Sequence, residues 1–162
     1  MKIIKNENDG KAKDEIKLVQ YNDNEYNYIY DVKKKSYQKY VEDYWGVWDE
    51  QEQKNRYKKS MEKTKDFTYI IVWNEKKVGF YQGELIDDTY YIENICITPK
   101  YRGKGIGTTI LTDIMDKYKN KDIRIQYFKQ NPAGKLYERL GFLPDGETVF
   151  HYQMIKPKQD EQ

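Results

Sequence analysis

The chain has 162 residues, with 29 Lys and Arg against 27 Asp and Glu and a formal net charge of +2. That length is one domain's worth of sequence and builds a core without staples. The balanced charge excludes a polybasic arm or an acidic tail as the dominant feature, so no nucleic-acid partner is expected. One cysteine, Cys96, and one histidine, His151, exclude an internal disulfide and leave too few ligands for a Cys- or His-built metal centre, so no metal is expected.

Residues 1–14 are polar and aperiodic and read as a flexible lead-in. Residues 157–162 read as a similar tail, which leaves 15–156 as one domain. No apolar run approaches the roughly 20 residues of a spanning helix, and the first residues lack the apolar stretch of a signal peptide. A cytoplasmic protein with no membrane partner is the expectation.

Ile16 to Tyr21 is a strand candidate. Asp23 or Asn24 can cap a helix running to Trp45, with apolar residues Ile29, Val32, Tyr37, Tyr40, Val41, Tyr44 and Trp45 three and four apart. Gly46 interrupts it. Asp49 or Glu50 opens a second helix to about Lys65, with a thin stripe at Tyr57 and Met61. The period then changes: Thr68–Trp73, Val78–Ile86 and Thr89–Ile97 read as an antiparallel meander around turns at 74–77 and 87–88. A helix follows, marked by Ile106, Ile110, Leu111, Ile114, Met115 and Tyr118. Ile123–Tyr127 is a strand. Asn131 and Pro132 open a short helix, as cap and first helical residue, and Gly141 ends it. Phe142–Leu143 and Val149–Ile155 are late strands around a turn at Asp145-Gly146. This order predicts an α+β (mixed α/β) fold: one mostly antiparallel twisted sheet of about six to seven strands flanked by about four helices.

The segment Arg102-Gly103-Lys104-Gly105-Ile106-Gly107-Thr108 stands between a predicted strand and a predicted helix. The first amides of a helix have no internal partner and carry partial positive charge. Lys100, Arg102 and Lys104 add charge with no acid among them, so the segment suits a phosphate or pyrophosphate. The plain alternative is a turn whose glycines let strand and helix pack tightly. It is not a P-loop, because Thr108 rather than Lys follows Gly107. It is not the dinucleotide fingerprint, because Ile110 replaces the third glycine.

What remains is R-x-x-G-x-G after a strand, followed by Asn131–Phe142 reading NPAGKLYERLGF. In these two motifs, and in the segment Ile92–Pro99, which is similar to the family's central strand, the chain resembles the GNAT superfamily of N-acetyltransferases. That family marks its acetyl-CoA site with Q/R-x-x-G-x-G/A, and a later helix with N-x-x-A-x-x-L-Y-E/R-x-x-G-F. Asn131, Leu136, Tyr137, Glu138, Gly141 and Phe142 fit in type; Ala133 stands two rather than three places after Asn131. The resemblance covers nearly the whole chain, from Ile16 to Ile155.

The resemblance implies that acetyl-CoA is the acetyl donor. The Arg102, Gly103, Lys104, Gly105, Ile106, Gly107 and Thr108 backbone would hold its pyrophosphate. The Ile95, Cys96 and Ile97 strand edge would pair with pantetheine like an added strand, and Asn131 would touch the same arm, unless it is only a helix cap. Tyr137 is the candidate general acid for the departing thiolate, since an ordinary tyrosine is protonated at neutral pH; otherwise it is a core aromatic on the Ala133/Leu136/Leu140 stripe. Glu93 is the candidate general base, acting through water, because the attacking amine must lose a proton; otherwise it is a surface charge. The Cys96 side chain reads as core rather than as a nucleophile.

On the acceptor side, Trp45, Trp48 and Asp49 lie in an acidic, aromatic window that would suit a cationic amine. The same window also reads as a capped helix start beside core aromatics. His151 could line the pocket or be structural. The implied activity is transfer of acetyl to a primary amine, on a small molecule or a peptide, by direct attack in a ternary complex. The alternative is a non-catalytic CoA-binding or sensor module on the same fold. A homodimer is left open.

Overall fold

A computed structural model describes residues 2–5 and 15–160 of the chain. Its strands are β1 (Lys2–Lys5), β2 (Glu15–Gln20), β3 (Thr68–Trp73), β4 (Lys76–Ile86), β5 (Thr89–Ile97), β6 (Asp122–Phe128), β7 (Leu143–Glu147) and β8 (His151–Lys156). Its helices are α1 (Tyr26–Trp45), α2 (Glu50–Thr64), α3 (Ile106–Lys117) and α4 (Gly134–Arg139). The strands form one sheet in the order β1-β2-β3-β4-β5-β6-β8-β7. The β5·β6 pair is parallel, as a strand–helix–strand crossover requires. The pairs β1·β2, β2·β3, β3·β4, β6·β8 and β7·β8 are antiparallel. The expected α+β architecture is therefore present: seven strands, β2–β8, lengthened at the outer edge of β2 by the short β1. Most of the lead-in expected over 1–14, and the last two residues of the tail, lie outside the described residues.

The chain divides into two compact units, Met1–Gln82 with Asn94–Ile106, and Gly83–Glu93 with Gly107–Gln162. In the first, the Asn22 side chain accepts from the Asn24 amide and caps a 3₁₀ turn over Asp23–Glu25, which leads into α1. The cap thus falls one residue before the expected pair. Gly46 closes α1, and the Asp49 carboxylate accepts from the Glu52 amide at 2.9 Å to start α2. Ile29, Tyr30 and Val32 of α1 and Tyr57 and Met61 of α2 are buried with Ile70, Phe80 and Cys96. Tyrosine supplies much of this packing. The Tyr57 ring lies 4.6 Å from that of Tyr26 and 5.4 Å from that of Tyr30. The Tyr57 hydroxyl donates to the Tyr26 carbonyl at 2.6 Å, and burial raises its pKa. A buried tyrosine needs such a partner for its polar tip.

In the second unit, the apolar stripe Ile110, Leu111 and Ile114 of α3 is buried, as are Ile123 and Ile125 of β6, Tyr137 of α4, Phe142, and Met154 of β8. Tyr90 of β5 stacks on Tyr118 just past α3, ring centroids 3.9 Å apart. Two boundaries differ from expectation. Asp145-Gly146 is not the hairpin turn: β7 runs through it, and a register shift between Pro144 and Gly146 absorbs the extra residue as a bulge. The turn comes later, where the Thr148 amide donates to the His151 carbonyl at 2.9 Å. Pro132 does not open α4 either. The Lys135 amide reaches back to Pro132 in a separate turn, and the helix begins at Gly134.

Candidate active site

The glycine segment leaves β5 through a 3₁₀ turn over Pro99–Tyr101 and enters α3 at Ile106. Gly103 and Gly105 adopt φ of 74° and 81°, a region that side chains disfavour, so their identity follows from backbone shape. Gly107 lies within α3 and outside the positive-φ set. At all three positions a β-carbon would meet no heavy atom within 4 Å. Tight packing of strand on helix is therefore not what these glycines serve. The first turn of α3 holds no acid, and Lys100, Arg102 and Lys104 are all exposed beside it. The segment is chemically a cationic helix entrance with open backbone, suited to a phosphate.

The ladder between β5 and β6 runs from Thr89↔Asp122 to Ile92↔Ile125 and stops, while β5 continues to Ile97. Ile95 and Ile97 are half-buried on this extension. One backbone group differs from expectation: the Ile97 carbonyl accepts from Arg102 Nε at 2.9 Å, so it already has a partner within the protein. Cys96 is buried, its sulfur 3.0 Å from the Tyr37 hydroxyl, and burial raises its pKa. A buried neutral thiol of this kind is unreactive.

Glu93 is exposed on β5, yet partial desolvation raises its carboxyl pKa, and the neighbouring Glu84 carboxylate on β4 adds to the rise. Tyr137 is 5% exposed on α4, edge-on to Tyr127 at 5.3 Å and to Phe142 at 6.1 Å. Its helix opens at Gly134. A β-carbon at Gly134 would overlap the Tyr127 hydroxyl, so the larger aromatic fills the space a methyl would take. Asn131 accepts from the Ala133 amide at 3.0 Å through Oδ1, which makes it the cap of the turn before α4.

The acceptor candidates have structural tasks. Asp49 caps α2. Trp48 packs against the first unit's core and donates to Glu50 Oε2 at 2.9 Å, the same oxygen that pairs with Lys34. Trp45 is 53% exposed at the end of α1. His151 opens β8 with its ring 4.5 Å from that of Phe128; its amide donates to the Thr148 hydroxyl, and burial lowers its pKa. Sequence reasoning passed over Glu84, Tyr127 and the amides Gln82 and Asn94. A polar amide inside each of two apolar strands was the available signal for the last two. Among the described residues, no group of three or more His, Cys, Asp or Glu side chains could hold a metal ion, and no helix is long and apolar enough to cross a membrane.

The chain is similar over 75 residues, at 29% identity, to the ribosomal protein bS18-alanine N-acetyltransferase of Haemophilus influenzae; the match covers 44% of this chain and 51% of that protein. A Bacillus subtilis (strain 168) protein named provisionally for the same activity is 30% identical over 89 residues, 52% of this chain and 59% of its own length. The chain thus spans little more than half of these relatives. A Pyrococcus horikoshii OT3 protein of solved structure superposes with a TM-score of 0.69 over 90% of this chain and 99% of its own, at 24% identity. An N-acetyltransferase from Thermoplasma acidophilum, solved in complex with coenzyme A, superposes with a TM-score of 0.65 over 88% of this chain and 98% of its own, at 16% identity. At those identities the two structures speak for the fold. The model of the acetyltransferase (GNAT) family matches residues 27–142, a span that takes in α1, the meander, the glycine segment and α4. With that match over most of the chain, the protein belongs to the GNAT family of acetyltransferases.

Proposed function

We propose that the protein is an acetyl-CoA-dependent N-acetyltransferase that moves an acetyl group to a primary amine by direct attack in a ternary complex. The observation that carries this reading is Gly107. Backbone strain does not demand a glycine there, and no side chain or backbone fills the space a β-carbon would occupy. Open backbone at a cationic helix start is what close approach of a pyrophosphate needs.

When bound, acetyl-CoA supplies a thioester carbonyl that a neutral amine can attack. The amides from Gly103 to Thr108 hold the pyrophosphate, helped by the charge of Lys100, Arg102 and Lys104. The β5 edge at Ile95–Ile97 takes the pantetheine arm as an added strand. Glu93, its carboxylate made more basic by desolvation and Glu84, accepts the amine proton through a water. Tyr137 holds the proton that the departing thiolate needs.

The N-terminal amine of an alanine-leading peptide is the first acceptor to try, because two relatives are named for that chemistry. Thermal unfolding with and without acetyl-CoA, with CoA and ATP as controls, tests the donor site. Ligand at a hundredfold excess over its dissociation constant adds about 2.7 kcal/mol, a rise of several degrees. A shift with acetyl-CoA and none with ATP establishes the donor; no shift at millimolar ligand ends the reading. A shift without turnover on a broad panel of amines and peptides would instead favour a CoA-binding sensor.

A further inference from the structure

Within the first unit, six residues whose side chains the proposed chemistry does not use form a continuous, partly buried hydrogen-bond chain. The Tyr37 hydroxyl donates to Asn94 Oδ1 at 2.7 Å. Its single proton is then committed, so the Cys96 thiol at 3.0 Å is left as donor to the Tyr37 oxygen. Asn94 Nδ2 donates to Gln82 Oε1 at 2.6 Å, and Gln82 Nε2 donates to Thr68 Oγ1 at 2.9 Å. Thr68 Oγ1 donates to the Thr64 carbonyl at 2.7 Å. Every bond runs in one direction, from thiol through phenol, two amides and a hydroxyl to a helix-end carbonyl. Gln82 and Thr68 are 1% and 0% exposed, where a half-satisfied amide would cost more than an apolar side chain.

The chain ties α1, the end of α2, β3 and β4 to one place, the Asn94–Cys96 stretch of β5. That stretch lies beyond Ile92, where the ladder with β6 has ended. A strand that has lost a neighbour on one edge is prone to slip or fray. Here, side-chain bonds hold it from its face and spend none of its backbone groups; of the Ile95–Ile97 edge, the Ile97 carbonyl is taken by Arg102. We infer that Tyr37, Asn94 and Gln82 are positioning residues that pre-set the Ile95–Ile97 edge of β5 for the donor's pantetheine arm. This inference rests on the acetyltransferase reading above. The chain also needs Cys96 protonated: a thiolate would draw the Tyr37 proton and orphan Asn94 Oδ1.

The test compares wild type with Tyr37→Phe, which removes one hydroxyl from the middle of the chain. Thr68→Val removes the hydroxyl at its far end and serves if the first variant does not fold; Thr68→Ser keeps the hydroxyl and serves as the rescue. Two readouts are taken well below the melting temperatures: amide hydrogen exchange in the free protein and the dissociation constant for CoA. Expected are faster exchange at Ile95–Ile97, unchanged exchange in α3, a CoA dissociation constant raised about tenfold, and wild-type behaviour for Thr68→Ser. A Tyr37→Phe protein that merely melts lower, with exchange at Ile95–Ile97 and CoA affinity as in wild type, overturns the positioning role and leaves the enzyme reading intact. A wild type that binds no CoA at millimolar concentration overturns both.

Discussion

Gly79 of β4 sits so close to the carbonyl oxygen of Cys96 on β5 that a β-carbon at position 79 would overlap it. The obstacle is backbone and cannot swing aside as a long side chain would. Gly79→Ala must therefore displace one of the two strands. The expected loss is about 1–3 kcal/mol, the usual range for overpacking a well-fitted interior, read as a lower urea midpoint with an unchanged slope. An unchanged midpoint would mean that the strands separate freely at this point.

The three loop glycines are expected to separate stability from binding. Alanine at Gly103 or Gly105 must adopt a left-handed conformation, at a cost of about 1–2 kcal/mol each. Gly107 sits in a helix with free space around it, so Gly107→Val should leave stability unchanged or slightly raised, because glycine is the poorer helix former. If a pyrophosphate approaches there, the same variant loses at least about tenfold in acetyl-CoA affinity, while Gly107→Ala, which adds only a methyl and which the family pattern admits, loses less. Calorimetric titration beside thermal melts reads both. Full affinity in Gly107→Val would remove the observation on which the functional proposal stands.

The parts of the fold that were legible are those where local pattern and tertiary demand agree. The thin stripe of Tyr57 and Met61 on an otherwise charged helix identified the buried face of α2 because nothing else on that helix could be buried. The limits of β3 and β5 were readable because turn residues flank alternating apolar ones. Asp145-Gly146 misled because an Asp-Gly pair signals a turn and a bulge equally, and only the partner strand β8 decides between them. Pro132 misled for a related reason: the Asn131 side chain caps a turn of its own before the helix begins. At the site, the glycine segment was legible as a cationic helix entrance, because its glycines and basic residues are contiguous in sequence. The fit of Gly134 against the Tyr127 ring was not, because it is a contact between two elements and leaves no periodic trace. The aromatic acidic window after α1 read both as a surface for a cationic amine and as a capped helix start beside core aromatics; Asp49 caps α2 and Trp48 packs against the core.

Tyr137→Phe separates catalysis from packing. The ring contacts to Tyr127 and Phe142 survive the change, so the fold should keep its stability to within about 1 kcal/mol, the net worth of one hydrogen bond. If the hydroxyl supplies the proton to the departing thiolate, kcat falls by about 10²–10⁴-fold, with little change in the Michaelis constant for acetyl-CoA. Steady-state kinetics on any accepted amine checks this. An unchanged kcat would make Tyr137 a core aromatic and leave the acid to be found elsewhere.

Glu93 gives the reaction a pH signature whose direction follows from its surroundings. Desolvation, with the Glu84 carboxylate second, raises its pKa above the ordinary carboxylate value. A general base works only when deprotonated, so kcat/KM should fall as pH drops through this raised value, earlier than an exposed glutamate would require. Glu84→Gln removes the like charge and should move the acid limb to lower pH; Glu93→Gln should abolish the limb together with most of the activity. Stability carries the opposite sign. A carboxyl whose folded pKa exceeds its unfolded one contributes stability that is fully present below the unfolded value and is lost as pH rises through the folded value. Glu93→Gln should therefore melt higher than wild type at neutral pH, with the difference disappearing once both forms are neutral in acid. A variant that loses activity while gaining stability at pH 7 marks Glu93 as a group held for chemistry; one that loses both marks it as a structural charge.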